Sequence, residues 1–229
     1  MERSFCVLTV LGLIGLVVAL AVSPLRSDRT DRFQFNPSVP EDYSFSAPTE
    51  SGSVRLGNRD FDSLPGALQA AQPGDTLYLR GRFEGSLTIE KSDLTLVGVP
   101  EDRPPLLDGE GTGNVLRIEG NGVQVRNLWV RNSGPDPQSN DAGIWISADD
   151  VQVTGSRITE STFGIWMDGV SDVLVKNNTI VGQEDVFPLS SRGNGIQIWK
   201  SEDSLVEGNR ITDVRDGIYY SWASEVLGR

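Results

Sequence analysis

The chain has 229 residues and a formal net charge of −12, from 32 acidic and 20 basic side chains. That sign repels phosphate backbones and sets nucleic acid aside as a partner. Histidine is absent and the single cysteine, Cys6, lies in the N-terminal apolar stretch, which excludes Ser/His/Asp and Cys/His catalysis, a disulfide framework and a soft-metal ligand cluster from the folded part.

Residues 5–22 form an uncharged apolar run behind Glu2 and Arg3, closed by Ser23-Pro24 and a charged tail. Residues 1–23 therefore read as a signal peptide or a membrane anchor. Ala19-Leu20-Ala21 offers a small-x-small cleavage pattern, whereas the run itself just reaches spanning length. Either way the remaining chain is expected outside the cytoplasm, held to the membrane if the segment is not cleaved. Residues 24–53 read as a linker, with Pro24, Pro37, Pro40 and Pro48 among Ser, Asp, Glu and Thr. Only Lys91, Lys176 and Lys200 are lysines; an acidic, arginine-rich surface fits a high-salt habitat.

Residues 61–71 carry the marks of a short capped helix. Ser63 suits the N-cap, Leu64, Leu68 and Ala71 share one face, and Pro73-Gly74-Asp75 stops it. Such a helix would shield the open end of the strands C-terminal to it. The first of these strands are Thr76-Leu77-Tyr78-Leu79, Leu87-Thr88-Ile89 and Leu94-Thr95-Leu96-Val97-Gly98.

From about residue 115 the chain repeats. Gly143-Ile144-Trp145-Ile146, Gly164-Ile165-Trp166-Met167, Gly195-Ile196-Gln197-Ile198 and Gly217-Ile218-Tyr219-Tyr220 align, at spacings of 21, 31 and 22 residues. The long spacing holds an insert over 183–194. Two further strands recur out of phase, as Val151-Gln152-Val153 with Val173-Leu174-Val175, and Asn178-Thr179-Ile180 with Asn209-Arg210-Ile211. Three short alternating strands per repeat of about 22 residues predict an all-β, right-handed parallel β-helix over 54–229. A propeller blade needs about forty residues and four strands, and an antiparallel sandwich needs hairpins without a fixed period. The chain ends in mid-coil after Glu225-Val226-Leu227, so a β-helix truncated at its C-terminal end is expected.

Ser156, Asn178 and Asn209 occupy equivalent turns and are expected to form a structural hydrogen-bonded ladder. Asn177-Asn178-Thr179 matches a glycosylation sequon, which a ladder turn would hide. If the isoleucines of the Gly-Ile strands point inward, alternation places Trp145, Trp166, Gln197 and Tyr219 outward in one stripe. Such a stripe stacks on sugars or docks a protein. It could instead be covered by inserts at 133–142 and 182–194, or lie in the core if the assignment is reversed. Trp199 and Trp222 would enlarge the patch. Asp141, Asp149, Asp150, Asp168, Asp172 and Asp216 lie near the same strand ends; a carboxylate pair can hydrolyse a glycosidic bond, but aspartate is also what turns prefer. No catalytic residue, metal ligand or cofactor is assigned.

Several stretches resemble secreted right-handed β-helix proteins: residues 68–79, Gly85-Ser86-Leu87-Thr88-Ile89, Leu107-Asp108-Gly109-Glu110-Gly111, and above all residues 122–134. The last, with Asp216-Gly217-Ile218-Tyr219-Tyr220-Ser221, resembles the NosD family, within a wider group of carbohydrate-binding and sugar-hydrolysing β-helices. The resemblance implies a non-enzymatic, extracytoplasmic accessory protein. Such a protein works with an ABC-transporter ATPase and permease and with reductase maturation proteins to build the copper–sulfur centre of nitrous oxide reductase. The alternative it implies is a cell-surface protein that binds or acts on carbohydrate. NosD members are often described as copper-binding; here Cys6 is the only cysteine, and Met1 and Met167 the only methionines.

Overall fold

A computed structural model describes residues 46–99, 103–186 and 188–228. The expected leader over 1–23 and most of the expected linker lie outside the described residues. No helix among the described residues is long and apolar enough to cross a membrane.

The strands are short because each run of alternating Val, Ile or Leu is cut by a residue that accepts a left-handed backbone, among them Asp93, Asn127, Asp150, Asp172 and Asn177. Among the described residues the strands form one nine-stranded and two six-stranded sheets. Every pairing from one coil to the next is parallel and in register: Val153 stands beside Val175, Ile158 beside Ile180 and Ile144 beside Ile165. Crossovers between parallel strands of one sheet wind right-handed as a rule, because the strands are twisted.

Along one six-stranded sheet, Leu87 stands beside Leu116, then come Ile144, Ile165, Ile196 and Ile218. The expected coil of about 22 residues holds where the corners are tight, from Ile144 to Ile165 and from Ile196 to Ile218. The remaining coils carry longer corners, including the insert over 183–194. The core is a stack of like residues: Ile144, Ile146, Ile165, Met167, Ile196 and Ile198 from this sheet meet Val125, Val153, Val175, Val130 and Ile158 from the others, all fully buried. One coil alone could not bury these side chains; stacking at about 4.8 Å does.

The entrance holds the expected helix, Leu64–Ala70, with Ser63 at its N-cap accepting the Gly66 N–H at 3.3 Å and Leu64, Ala67 and Leu68 buried. It also holds a hairpin that the sequence did not announce, at the start of the region expected to be parallel β-helix. Ser53–Leu56 pairs antiparallel with Arg59–Phe61 and with Thr76–Arg80, so the hairpin covers the edge of the first parallel strand and adds two strands to the nine-stranded sheet. Lys91 fastens the helix to the first coil. Its ammonium donates to the carbonyls of Leu68, Gln69 and Ala71 at 2.9, 2.6 and 2.8 Å, the carbonyls that a helix end leaves unpaired. Lys91→Met keeps the stem and removes the three donors; it is expected to lower stability by about 2 kcal/mol, the range for hydrogen bonds to a charged group. Chemical denaturation of the full-length chain measures this.

Ser156, Asn178 and Asn209 stand one above another at a single corner. The Leu128 N–H donates to Ser156 Oγ at 3.2 Å, the Ser156 N–H to Asn178 Oδ1 at 2.9 Å, and the Asn178 N–H to Asn209 Oδ1 at 2.9 Å. The Asn178 amide also donates to Val153 O at 2.9 Å and to Asn209 Oδ1 at 3.0 Å. These side chains satisfy buried backbone groups that the corner removes from the sheets.

Candidate functional site

The sheet built from Leu116–Ile118, Ala142–Ile146, Phe163–Asp168, Ile196–Trp199 and Ile218–Ser221 turns Ile118, Ile144, Ile146, Ile165, Ile196 and Ile198 into the core. Register therefore sets Arg117, Trp145, Trp166, Gln197 and Tyr219 in one outward column. All four stripe residues read from the sequence are brought together, but not equally into solvent. Tyr219 is 45 % exposed and Trp145 half-buried, whereas Trp166 and Gln197 retain 8 % and 4 %. The open stripe thus narrows to a ridge.

Two contacts account for the narrowing. Phe163 meets Trp166 edge-on, with centroids 4.8 Å apart at 89°, and Trp145 and Trp199 pack beside this pair in an apolar cluster outside the solenoid core. The insert then returns to the sheet at Asn194, whose side-chain amide donates to Gln197 Oε1 at 2.7 Å in a buried pair. Arg192, itself buried, ties the insert down by donating to the carbonyls of Val186 at 3.0 Å, Asp213 at 3.3 Å and Glu184. Trp166 Nε1 and Asn194 Oδ1 are buried without a protein partner.

Trp145 and Trp166 stack with centroids 5.2 Å apart and planes within 2°, and the Arg117 guanidinium lies 5.5 Å over the Trp145 ring. Arg117 and Trp166 belong to the coils on either side of Trp145, so both faces of its indole are occupied. A sugar stacks on an open ring face; Trp145 offers only its edges. What the ridge can do is dock a protein through the edges of Trp145 and Trp199 and through Tyr219, with Trp222 exposed at the next corner.

The carboxylates near these strand ends are engaged in turns. Asp141 accepts the Asp136 N–H at 3.1 Å, Asp149 accepts the Ser171 N–H at 2.8 Å, and Asp216 pairs with Arg215 at 3.0 Å. Asp150 and Asp172 are corner residues with φ of 59° and 57°. Asp168 stands half-buried beside Trp199. Among the described residues no group of three or more His, Cys, Asp or Glu is placed to hold a metal ion.

Sequence reasoning missed one polar centre. On the other six-stranded sheet, the buried Asp108 accepts from Arg131 at 2.8 and 2.9 Å, from Arg82 and Asn132 at 3.1 Å, and from the Glu110 N–H at 3.1 Å. Burial pushes its carboxyl up, but the hydrogen bonds from Arg131, Asn132 and Glu110 outweigh burial and hold it below the ordinary value. Beside it Trp129 is buried, donates to Thr159 Oγ1 at 2.8 Å, and carries Arg131 and Arg157 within 5.5 and 5.2 Å of its ring. The only sequence mark of this centre was Leu107-Asp108-Gly109-Glu110-Gly111, read for its resemblance to secreted right-handed β-helix proteins and not for its carboxylate.

Comparison with known proteins agrees with this architecture. The family described as "Right handed beta helix region" matches residues 113–227. A "Probable ABC transporter binding protein NosD" from Pseudomonas aeruginosa is 32 % identical over 158 residues, covering 68 % of this chain and 35 % of that protein. Its namesake from Stutzerimonas stutzeri is 29 % identical over 169 residues, 73 % of this chain and 37 % of that protein. The chain thus spans about a third of the length of the curated relatives it matches. Among solved structures, an alginate lyase from Paenibacillus sp. superposes with a TM-score of 0.52 at 20 % identity, covering 72 % of this chain and 71 % of that one. A putative glycosyl hydrolase from Parabacteroides merdae gives 0.50 at 10 % identity, covering 71 % and 85 %. At these identities the likeness is one of fold.

Proposed function

Because this chain belongs to the right-handed β-helix family, with NosD proteins among its relatives, we propose that it is a non-enzymatic, extracytoplasmic accessory protein that docks an ABC transporter. The observation that carries the reading is the match to two proteins named for transporter binding, over 68 % and 73 % of this chain. The ridge supports it from the side of chemistry. Tyr and Trp clusters are the usual anchors of protein interfaces, and the occupied faces of the Trp145 indole suit a protein partner better than a sugar. The part proposed in maturation of a copper–sulfur centre is that of a scaffold which holds partners; a chain without histidine and with its one cysteine at position 6 has no soft-ligand set with which to carry copper. The apolar run at 5–22 supports the location, as an export signal or as an anchor.

The test is recovery of partners from native membranes by the tagged full-length chain, read by mass spectrometry. A permease and an ATPase of one transporter are expected with the unaltered chain. Trp145→Ala combined with Tyr219→Ala is expected to cut that recovery at least tenfold, the scale of losing one interface anchor of about 1.4 kcal/mol or more. Both positions lie outside the solenoid core, so circular dichroism should remain that of the unaltered protein. Undiminished recovery from the double variant would remove the ridge from the interface. Retention on an acidic-polysaccharide column with no transporter recovered would overturn the accessory role itself.

A further inference from the structure

The sequon Asn177-Asn178-Thr179 was expected to be hidden by the ladder, and the structure separates its residues. The ladder residue is Asn178, 1 % exposed. The residue that would accept a glycan is Asn177, half-buried at the outer edge of the corner, with φ of 55°. At the equivalent corner of the next coil stands Gly208, which is exposed, and a Cβ added there would collide with Asn177 Oδ1. The Asn177 amide therefore lies in space that an exposed side chain of the neighbouring coil would otherwise fill, which is surface. Thr179, whose hydroxyl completes the sequon, is half-buried in the outward column Arg157, Thr179, Arg210, because Ile180 beside it points into the core. Asn127 at the equivalent corner shows that asparagine can serve there for its tolerance of positive φ alone; it is followed by Leu128-Trp129 and is no sequon. Across the whole chain the other Asn-X-Ser/Thr match is Asn36-Pro37-Ser38, which proline disqualifies.

We propose that Asn177 is the acceptor of an N-linked glycan, placed on the corner between the nine-stranded sheet and the six-stranded sheet of Asp108. In that reaction Nδ2 forms a bond to C1 of the first sugar of a lipid-linked oligosaccharide. The C1–oxygen bond to the lipid pyrophosphate breaks, the pyrophosphate leaves with the bonding pair, and Nδ2 gives up one proton. The inference rests on the extracytoplasmic location proposed for the chain, since such transfer takes place there. A glycan at this corner is bulky and solubilising and leaves the ridge, on the third sheet, uncovered.

The test uses folded full-length chain made in a host without oligosaccharyltransferase. It is treated in vitro with a transferase that accepts Asn-X-Ser/Thr and with its lipid-linked oligosaccharide. Intact mass is expected to rise by one glycan, mapped to the tryptic peptide that begins at Asn177. Thr179→Ser is expected to retain the modification and Thr179→Val to lower it at least tenfold, both on folded protein. A folded chain that stays unmodified, while a synthetic peptide of residues 172–184 is modified, overturns the proposal because the fold then hides the acceptor. Equal modification of Thr179→Val overturns it as well. Failure to recover a transporter from membranes would leave this result untouched, so the two readings fail separately.

Discussion

Gly164→Ala is expected to be among the most destabilising single substitutions in the solenoid, although it adds one methyl group. A Cβ at Gly164 would lie 2.5 Å from Ile180 Cγ2 and would overlap the carbonyl oxygen of Gly195. One obstacle is a fully packed core side chain from another sheet, and the other is backbone of the next coil. Neither can move without opening the parallel ladder on both sides. Overpacking of this kind costs about 3 kcal/mol at its upper end. The same substitution at Gly217, the next but one in the aligned column, meets nothing within 4 Å and should shift stability by roughly 0.5 kcal/mol or less, as an unobstructed surface change does. Urea midpoints of the two variants against the unaltered chain measure the contrast. Equal midpoints would mean that the Gly-Ile motif is not kept for close approach.

Asp108→Ala is the second large effect. The substitution leaves Arg131 and Arg82, whose side chains are 20 % and 32 % exposed, without the carboxylate they share. Removing one partner of a buried ion pair costs about 3–5 kcal/mol; with guanidinium groups that partly reach water, about 3 kcal/mol is the expectation. A pH signature accompanies it. The folded carboxyl sits below the ordinary value of 3.8, so its stabilisation is fully present above that value. It is lost as pH falls from there through the lower folded value. The difference in unfolding free energy between the unaltered chain and Asp108→Ala should therefore be constant near neutrality and shrink as the solution is acidified below about pH 4. Asp60 and Asp136 are also held low, by Arg55 and by Ser139 respectively, but both remain in the variant and cancel in the difference. A difference that grew on acidification would contradict the assignment of Asp108 as an ionised anchor.

Much of the architecture was legible because a solenoid writes its structure into the period. The aligned Gly-Ile strands, the Val-x-Val strands and the Asn corners each recur once per coil, and the register pairs Ile144 with Ile165 and Val153 with Val175 accordingly. Gly143, Gly164 and Gly195 had a reason that no single repeat displays: the side chain each makes room for, Ile158, Ile180 or Ile211, comes from another sheet, whereas Gly217 in the last strand makes room for none. The hairpin of Ser53–Leu56 with Arg59–Phe61 was not legible, since two strands of four and three residues just past the Ser- and Pro-rich linker carry no period. Asp108 escaped for a related reason. Its partners Arg82 and Arg131 lie 26 and 23 residues away, in early coils whose long corners obscure the repeat. For the ridge, alternation gave the direction of Trp145, Trp166, Gln197 and Tyr219, but not their cover. The burial of Trp166 and Gln197 depends on Phe163, the first residue of the Trp166 strand, and on Asn194, just before the Gln197 strand, where alternation says only inside or outside.

The insert over 183–194 enters and leaves without disturbing the rows on either side, for Ile165 still meets Ile196 and Val175 still meets Val206. Corners therefore accept added length freely, while a strand accepts none, because one residue gained within it would turn every later side chain to the wrong face. Evolutionary change in such a chain is channelled. New surface arises by lengthening corners or by duplicating whole coils, and the ladder that joins the coils descends unchanged beneath it.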